Sequence, residues 1–590
     1  MQEKKPSVKG NIVQQQGRTE IENGSFLRTR WAWVTVLGLA LGLRILWLIA
    51  NGDRIGGDAV RYLWISEHLS RGEWDLFPQV FTSPLLPGVI GVMSWLTGEN
   101  LWTGRIICIL GNTLAVGLVV VLFGRLAPNR PALAWLTGVG VALDPVWCRL
   151  SFTILTDNFF YPALMGLWIL LLKLRERLSW GNSLAFGMVW GLAYLSREIG
   201  LYYGAILLVA LAVAAFWESG RGRQRFLGMG RLVFPALVGL LLIAGGWVIW
   251  LSENLGTFSL GEGPKIYSAY SLAFDRGVFT NSYSDGTFGI LKLKPYEMQE
   301  YTRFPRPGEE RFPKQSYLDS WRNPGKMLKR VLNNFYFTIK NTFKVTPLGF
   351  AALMILLAMN IPKGLSLQSP ATWLAGAGGL LLVLHLQTLV SEARYFGWCF
   401  PWVYFGLAWA ILTGWEWIRL RSWPRGRTML AGGLLLLLTC APVLHRNLRG
   451  LPKLWVQSRQ TLISVWASQE ILQNYGPGAV ISSTAEVAYL SQGRWIGLPR
   501  GSFEDIMEWL YLGNADFLLL SSNSPRAEFS NALGADPATL QLQYPELRLM
   551  GEYDTEYEGA KIKARLFRFQ PQPEKLAALQ QQYSWAGRRP

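Results

Sequence analysis

Asp58 stands in "GGDAVRY", a few residues beyond an apolar run, with Arg61 and Tyr62 one turn further along. A carboxylate can take a proton from an attacking hydroxyl, and an arginine can grip a phosphate through two parallel hydrogen bonds while staying charged. Groups of the same types recur along the chain: Asp144 before Pro145, Asp157 in "ILTDNFFY", Arg197 and Glu198 in "LSREIGL", and Glu392, Arg394 and Tyr395 in "SEARYFGW". Each alone has a structural explanation as a helix cap, a local ion pair or a membrane-surface anchor. Asp58 reads equally well as the N-cap of a helix over 59–70. Brought to one face, they would instead form a polar cavity suited to an anionic lipid headgroup.

The elements that must position these groups are membrane helices. Only 16% of the 590 residues are charged and half are apolar, whereas about a quarter of a soluble protein is charged. Apolar stretches long enough for a ~30 Å hydrocarbon core number about eleven, near 31–50, 102–124, 131–149, 157–173, 183–197, 199–217, 232–251, 335–360, 371–391, 396–418 and 428–445. The run "LLPGVIGVMSWLTG" at 85–98 is too short to cross and reads as an interfacial or re-entrant helix.

Charge supports that count. Lys and Arg collect on cytoplasmic loops, and here they collect in alternate loops: residues 1–30, Arg125 and Arg130, "KLRER" from Lys173, Arg221 to Arg231, Lys363, and Arg419 to Arg427. This explains the net charge of +18 without nucleic acid. An odd number of spans puts the N-terminus in the cytoplasm and the C-terminus outside, as in a multi-pass protein of the inner cell membrane. Residues 1–30 then form a lead-in, 31–445 a membrane domain with external loops at 51–101 and 252–334, and 446–590 an external domain. In the last, 457–475 and "SFEDIMEWLYL", opened by a Ser cap, read as helices. "AVISS", "ADFLLLSS" and "KIKARLFRFQ" read as strands, which makes a small α/β domain. Cys108, Cys148, Cys399 and Cys440 lack CxxC spacing and read as buried small hydrophobes, and His68 as an ordinary lone histidine.

The order of an apolar helix, an acid with Tyr62 four residues on, "SPLLPG" before an interfacial helix, "LTDN", "REIGL" and "EARYF" resembles the GT-C superfamily of membrane glycosyltransferases. Within it the chain is similar to the branch holding protein O-mannosyltransferases and lipid A aminoarabinose transferases, over roughly residues 30–445. The resemblance implies transfer of a sugar, with inversion, from a polyprenyl-phosphate carrier to a lipid, glycan or protein acceptor on the external face. It implies Asp58 as base or acceptor orienter, Asp157 as the acid of the second external loop, and Arg197, Arg394 and Tyr395 at the donor phosphate. Arg61, Tyr62, Glu198 and Glu392 are further site candidates. Two positions depart from the pattern: Ala59 stands where many relatives have a second acid, and Ser83 precedes Pro84 where many have two prolines.

No cofactor is demanded, although Asp58 with Asp157 could hold a divalent cation through oxygen. Arg44, deeper in "LGLRILWL", is expected to pair with an acid such as Asp144 or Glu198. Two other readings stay open at this level. A polysaccharide polymerase or ligase of the envelope would use a diphosphate-linked glycan, and a transporter or flippase would hold its polar site near the midplane on broken helices.

Overall fold

A computed structural model describes residues 30–50, 55, 57–73, 83–128, 130–218, 223–255, 258–261, 324–345, 393–420, 459–482, 486–497, 503–522, 536–557 and 560–582, with isolated positions elsewhere. Its membrane part is helical: α1 Arg30–Ala50, α2 Gly57–Ser70, α3 Leu85–Thr97, α4 Asn100–Leu126, α5 Pro131–Ala142, α6 Pro145–Phe152, α7 Asp157–Glu176, α8 Trp180–Ser196, α9 Ile199–Glu218, α10 Arg223–Leu255, α11 Pro324–Val345, α12 Ala393–Phe396 and α13 Phe400–Leu420. Among the described residues four helices are long and apolar enough to cross a membrane: α1, α4, α9 and α10. The pair α5 and α6, bent by 57°, can form a fifth. This is a polytopic helical membrane protein.

The bundle is built around α7. It packs between α4 and α8, and its Phe160, Leu164, Leu167, Trp168 and Leu171 are buried in the main apolar cluster, with Phe160 against Tyr203 of α9 and Trp168 against Trp402 of α13. The α8 and α10 backbones meet so closely at Gly187 that a side chain there would collide with the Ala236 carbonyl. Such small-residue crossings are how apolar helices associate in lipid, where van der Waals contact replaces the hydrophobic drive.

Several expectations need correction. The stretch 131–149 is not one continuous helix: α5 ends before Pro145, and Asp144 caps a new helix, its Oδ1 accepting from the Val146 and Trp147 amides at 2.9 and 2.8 Å. Its other oxygen accepts from the Tyr404 hydroxyl at 2.8 Å, so Asp144 is a buried structural cap and no part of a polar cavity. Helix α11 begins inside the expected loop 252–334. It places Leu328, Leu332, Phe335 and Tyr336 on an exposed apolar stripe and carries five Lys or Arg and no acid, the composition of an interfacial helix. The expected spans 371–391 and 428–445, Glu392, Cys440 and most of the loop 252–334 lie outside the described residues.

The C-terminal part holds α14 Arg459–Asn474, β1 Ala479–Ser482, α15 Glu486–Leu490, β2 Arg494–Gly497, α16 Phe503–Leu512, β3 Phe517–Ser521, α17 Pro537–Gln543, β4 Leu547–Tyr557, β5 Ala560–Phe569 and α18 Pro573–Gln582. The strands form one sheet in the order β2-β1-β3-β5-β4. β1 is parallel to β2 and β3, and β5 is antiparallel to β3 and β4. Alternation sorts the faces. Val480, Phe517 and Leu519 meet Ile463 and Ile471 of α14, while Ile481, Leu518 and Leu520 meet Ile506 and Leu510 of α16. β2 and β4 were not read from the sequence; β2 is four residues long, and a register shift between Leu549 and Gly551 breaks the period of β4. The Ser cap proposed for α16 lies outside the described residues. Tyr489 and Leu490 of α15 pack against the cluster of Ile55, Ala59 and Leu63, so this sheet unit bears on α2.

Candidate active site

Four chain segments meet at one end of the bundle. Asp58 lies in the first turn of α2, which starts at Gly57, so it is inside the helix and not at its cap. Its Oδ2 accepts a hydrogen bond from Arg394 Nη1 at 2.8 Å. Asp157 opens α7, and its Oδ1 accepts from Arg197 Nη1. Arg197 sits on extended backbone between α8 and α9 (φ −156°), where the break aims its side chain across the bundle toward α7.

Tyr395 ties the two ion pairs together. Its ring lies 4.7 Å from the Arg197 guanidinium carbon and 5.1 Å from that of Arg394, so it faces both cations. Stacking two guanidinium groups on one electron-rich ring is favourable and holds them close without a carboxylate between them. The segment that carries Arg394 and Tyr395 is clamped from below. The Tyr161 hydroxyl donates to the Arg394 carbonyl, and the Trp147 indole N–H donates to the Gly397 carbonyl at 3.0 Å. A side chain at Gly397 would collide with Tyr161, so this close approach requires glycine.

Burial and charge compete at Asp58. Burial pushes its carboxyl up, but the Arg394 guanidinium, helped by Arg61 and Arg197, outweighs this and holds it below the usual carboxylate range. At Arg394 burial weighs against the charge, and Tyr395 and Asp58 more than offset it, so its pKa is raised. Tyr62 is pushed up to about 12 by burial and then by Asp58, which places its hydroxyl in the same buried surroundings as that carboxylate.

Glu198 is half-buried and covered by the segment 258–261. A side chain at Gly261, whose φ is +136°, would come within 2.5 Å of its carboxyl carbon. The Tyr194 hydroxyl holds that segment by donating to the Leu260 carbonyl at 2.8 Å. His68 pairs with Glu73 and stacks edge-on against Trp64. Among the described residues no group of three His, Cys, Asp or Glu could hold a metal ion. With a guanidinium already on each carboxylate, Asp58 and Asp157 are a poor donor set for a divalent cation.

Arg44 corrects another expectation. Its Nε donates to Asn112 Oδ1 at 2.8 Å and its Nη1 to the Ala40 and Ala142 carbonyls at 2.9 and 3.4 Å, so its hydrogen bonds go to neutral oxygens and not to an acid. Asn112, Asn158, Tyr161 and Trp147, all of which build the site, were missed in the sequence. The available signal was a lone Asn in the apolar run "ILGNTLAV".

Beside the site, Pro84, Leu85 and Val92 of the α3 region, Leu195 of α8 and Trp247 and Trp250 of α10 line an apolar groove of about 630 Å³. Its lining residue Leu195 is two residues before Arg197 in the chain.

Residues 82–250 match the family model described as dolichyl-phosphate-mannose-protein mannosyltransferase. Over that stretch the chain is similar to this family of membrane glycosyltransferases. The matched stretch contains Asp157, Arg197 and Glu198, while Asp58 and Arg394 flank it on either side. The chain is also similar to two solved structures. ArnT from Cupriavidus metallidurans, bound to undecaprenyl phosphate, is 14% identical, with 92% of this chain and 100% of that chain covered and a TM-score of 0.48. The Archaeoglobus fulgidus oligosaccharyltransferase, in complex with zinc and sulfate, is 12% identical, with 90% and 72% covered and a TM-score of 0.49. No curated protein matches.

Proposed function

We propose that this glycosyltransferase moves a sugar from a polyprenyl-phosphate donor to an envelope acceptor, a lipid, glycan or protein hydroxyl, on the external face of the membrane. The observation that carries the reading is the pair of arginines stacked on Tyr395 beside an apolar groove. Two arginines held together on one ring next to an apolar groove fit a ligand with a phosphate head and a hydrocarbon tail. The ArnT structure holds a ligand of that class.

In this reading the acceptor oxygen attacks the anomeric carbon while Asp58 takes its proton. The bond from that carbon to the phosphate oxygen breaks, and the leaving phosphate keeps the electron pair. Arg197 and Arg394 hold its charge, where preorganised donors in a dry site are worth most. One displacement inverts the anomeric centre. Asp157 holds Arg197 in place, and Arg61 and Glu198 line the approach to the site.

The experiment is sugar transfer by the purified enzyme in lipid nanodiscs, with polyprenyl-monophosphate, polyprenyl-diphosphate and nucleotide-linked sugars offered in parallel. Turnover with the monophosphate donor alone is expected. Turnover with only the diphosphate carrier would move the enzyme to the polymerase or ligase class, and turnover with only a nucleotide sugar would reject the reading.

The external location follows from the alternation of Lys and Arg among the loops, with eleven spans, residues 1–30 cytoplasmic and 446–590 outside. The amphipathic α11 would then lie on the outer surface, and the sheet unit would stand over α2. A reporter that works only outside the cytoplasm is expected to be active when fused after residue 590. Silence there, with a cytoplasmic reporter working at the same position, would overturn the orientation and the external site together.

A further inference from the structure

Arg44, Asn112 and Asn158 are fully buried and form a hydrogen-bonded line from α1 through α4 to the start of α7. Arg44 Nε donates to Asn112 Oδ1, Asn112 Nδ2 donates to Asn158 Oδ1 at 3.0 Å, and Asn158 Nδ2 donates to the carbonyls of Leu150, Thr153 and Leu155 at 2.9, 3.0 and 3.3 Å. The line has one direction only. A guanidinium has no acceptor, so the Asn112 oxygen must face Arg44 and its amide nitrogen must face Asn158. The Asn158 nitrogen is then left for the loop carbonyls. Every donor along the line points away from Arg44 toward the turn that ends at Asp157.

Backbone contact reinforces this geometry: a side chain at Gly111 would stand 2.5 Å from the Asn158 carbonyl oxygen, so α4 and α7 touch where the line crosses between them. Buried amides in an apolar bundle are costly unless every partner is present. Asn158 is the next residue after Asp157, whose carboxylate holds Arg197.

We propose that Asn112 and Asn158, oriented by Arg44, are positioning residues that set the Asp157–Arg197 pair for the donor phosphate. This rests on the reading of Arg197 as a phosphate ligand. The inference is that a cation deep in the bundle, well away from the reacting atoms, decides the amide orientations on which that ligand depends.

Asn112→Asp tests it. The shape is kept and the bond to Arg44 becomes an ion pair, so the fold should stand. The atom facing Asn158 Oδ1 changes from donor to acceptor, so the Asn158 amide must turn and release the loop carbonyls. Donor KM is expected to rise roughly tenfold or more, since a displaced charged hydrogen bond has effects of that order. Acceptor KM should be unchanged, and the melting temperature should fall by no more than the loss of the loop-carbonyl hydrogen bonds explains. A merely structural role would lower apparent kcat through lost enzyme and leave both KM values alone, which would overturn the proposal.

The cycle with Arg197→Ala separates the layers. If the line acts through Arg197, Asn112→Asp adds nothing in the Arg197→Ala background, because coupled residues do not contribute independently. Full additivity would overturn the proposal while leaving Arg197 as a donor ligand. Wild-type donor KM in Arg197→Ala alone would instead overturn the underlying reading, and the proposal with it. Asn112→Ala carries the same cycle, with the same criteria, should the aspartate variant not fold.

Discussion

Replacing Asp58 by asparagine is expected to abolish sugar transfer and leave the fold intact. The side chain is nearly isosteric, and the first turn of α2 tolerates asparagine. The stability at stake is the attraction of a carboxylate for the helix N-terminus, ~0.3–1 kcal/mol, together with a partly exposed ion pair to Arg394 worth ~1 kcal/mol at most. The chemistry has no such tolerance. An amide cannot take the acceptor proton, and loss of a general base is typically ~10²–10⁴-fold in rate. Purified variant and wild type would be compared for melting temperature and for transfer from a polyprenyl-phosphate donor, with Asp157→Asn alongside. Asp157→Asn should instead raise donor KM, because its carboxylate is buried and holds Arg197. A normal rate in Asp58→Asn would reduce this acid to a partner of Arg394 and nothing more.

What could be read from the sequence and what could not divides along physical lines. Charged residues at the ends of apolar runs announce themselves, because charge is expensive near lipid. Asp58, Asp157, Arg197 and Arg394 stand out for that reason and Tyr395 through its place beside Arg394 in "EARYF", and the structure brings all five to one end of the bundle. Their pairing was not legible. Asp58 and Arg394 are 336 residues apart, and nothing local says which arginine meets which acid. Arg44 was matched to an acid because a buried cation calls for an anion, but the fold answers it with an amide and two carbonyls. Asn112 and Asn158 carry no charge, so apolar helices hide them in plain view. Asp144 shows the opposite error: it looked like a site acid, although the proline directly after it marks it as a helix cap. The same logic holds in the sheet unit, where uninterrupted apolar strands such as β3 were legible and the bulged β4 was not.

Arg394→Ala is expected to weaken donor use by ~30-fold or more, since truncating one partner of a charge pair that the bound carrier phosphate would desolvate costs roughly 2–5 kcal/mol. Arg394→Lys should recover only part of this. An ammonium is a point charge that cannot offer two parallel donors to a phosphate, and it stacks less well on the Tyr395 ring. The alanine variant should also change the pH dependence of kcat/KM, with a sign fixed by the geometry. In the wild type the Arg394 guanidinium holds the Asp58 carboxyl below its usual range, so the base stays ionised well into acid and the acidic limb lies low. Without Arg394, burial acts with less opposition, the Asp58 pKa rises, and the acidic limb must move to higher pH. The stability contribution of the pair follows the same sign. It is present above the ordinary aspartate pKa and is lost as the pH falls through the lowered value of the folded protein. The two effects separate the roles of one side chain, because donor affinity reports its hold on phosphate and the limb reports its hold on Asp58. A variant with weakened donor use and an unmoved acidic limb would show that Asp58 is not the group titrating in catalysis, and the base would then have to be sought elsewhere in the site.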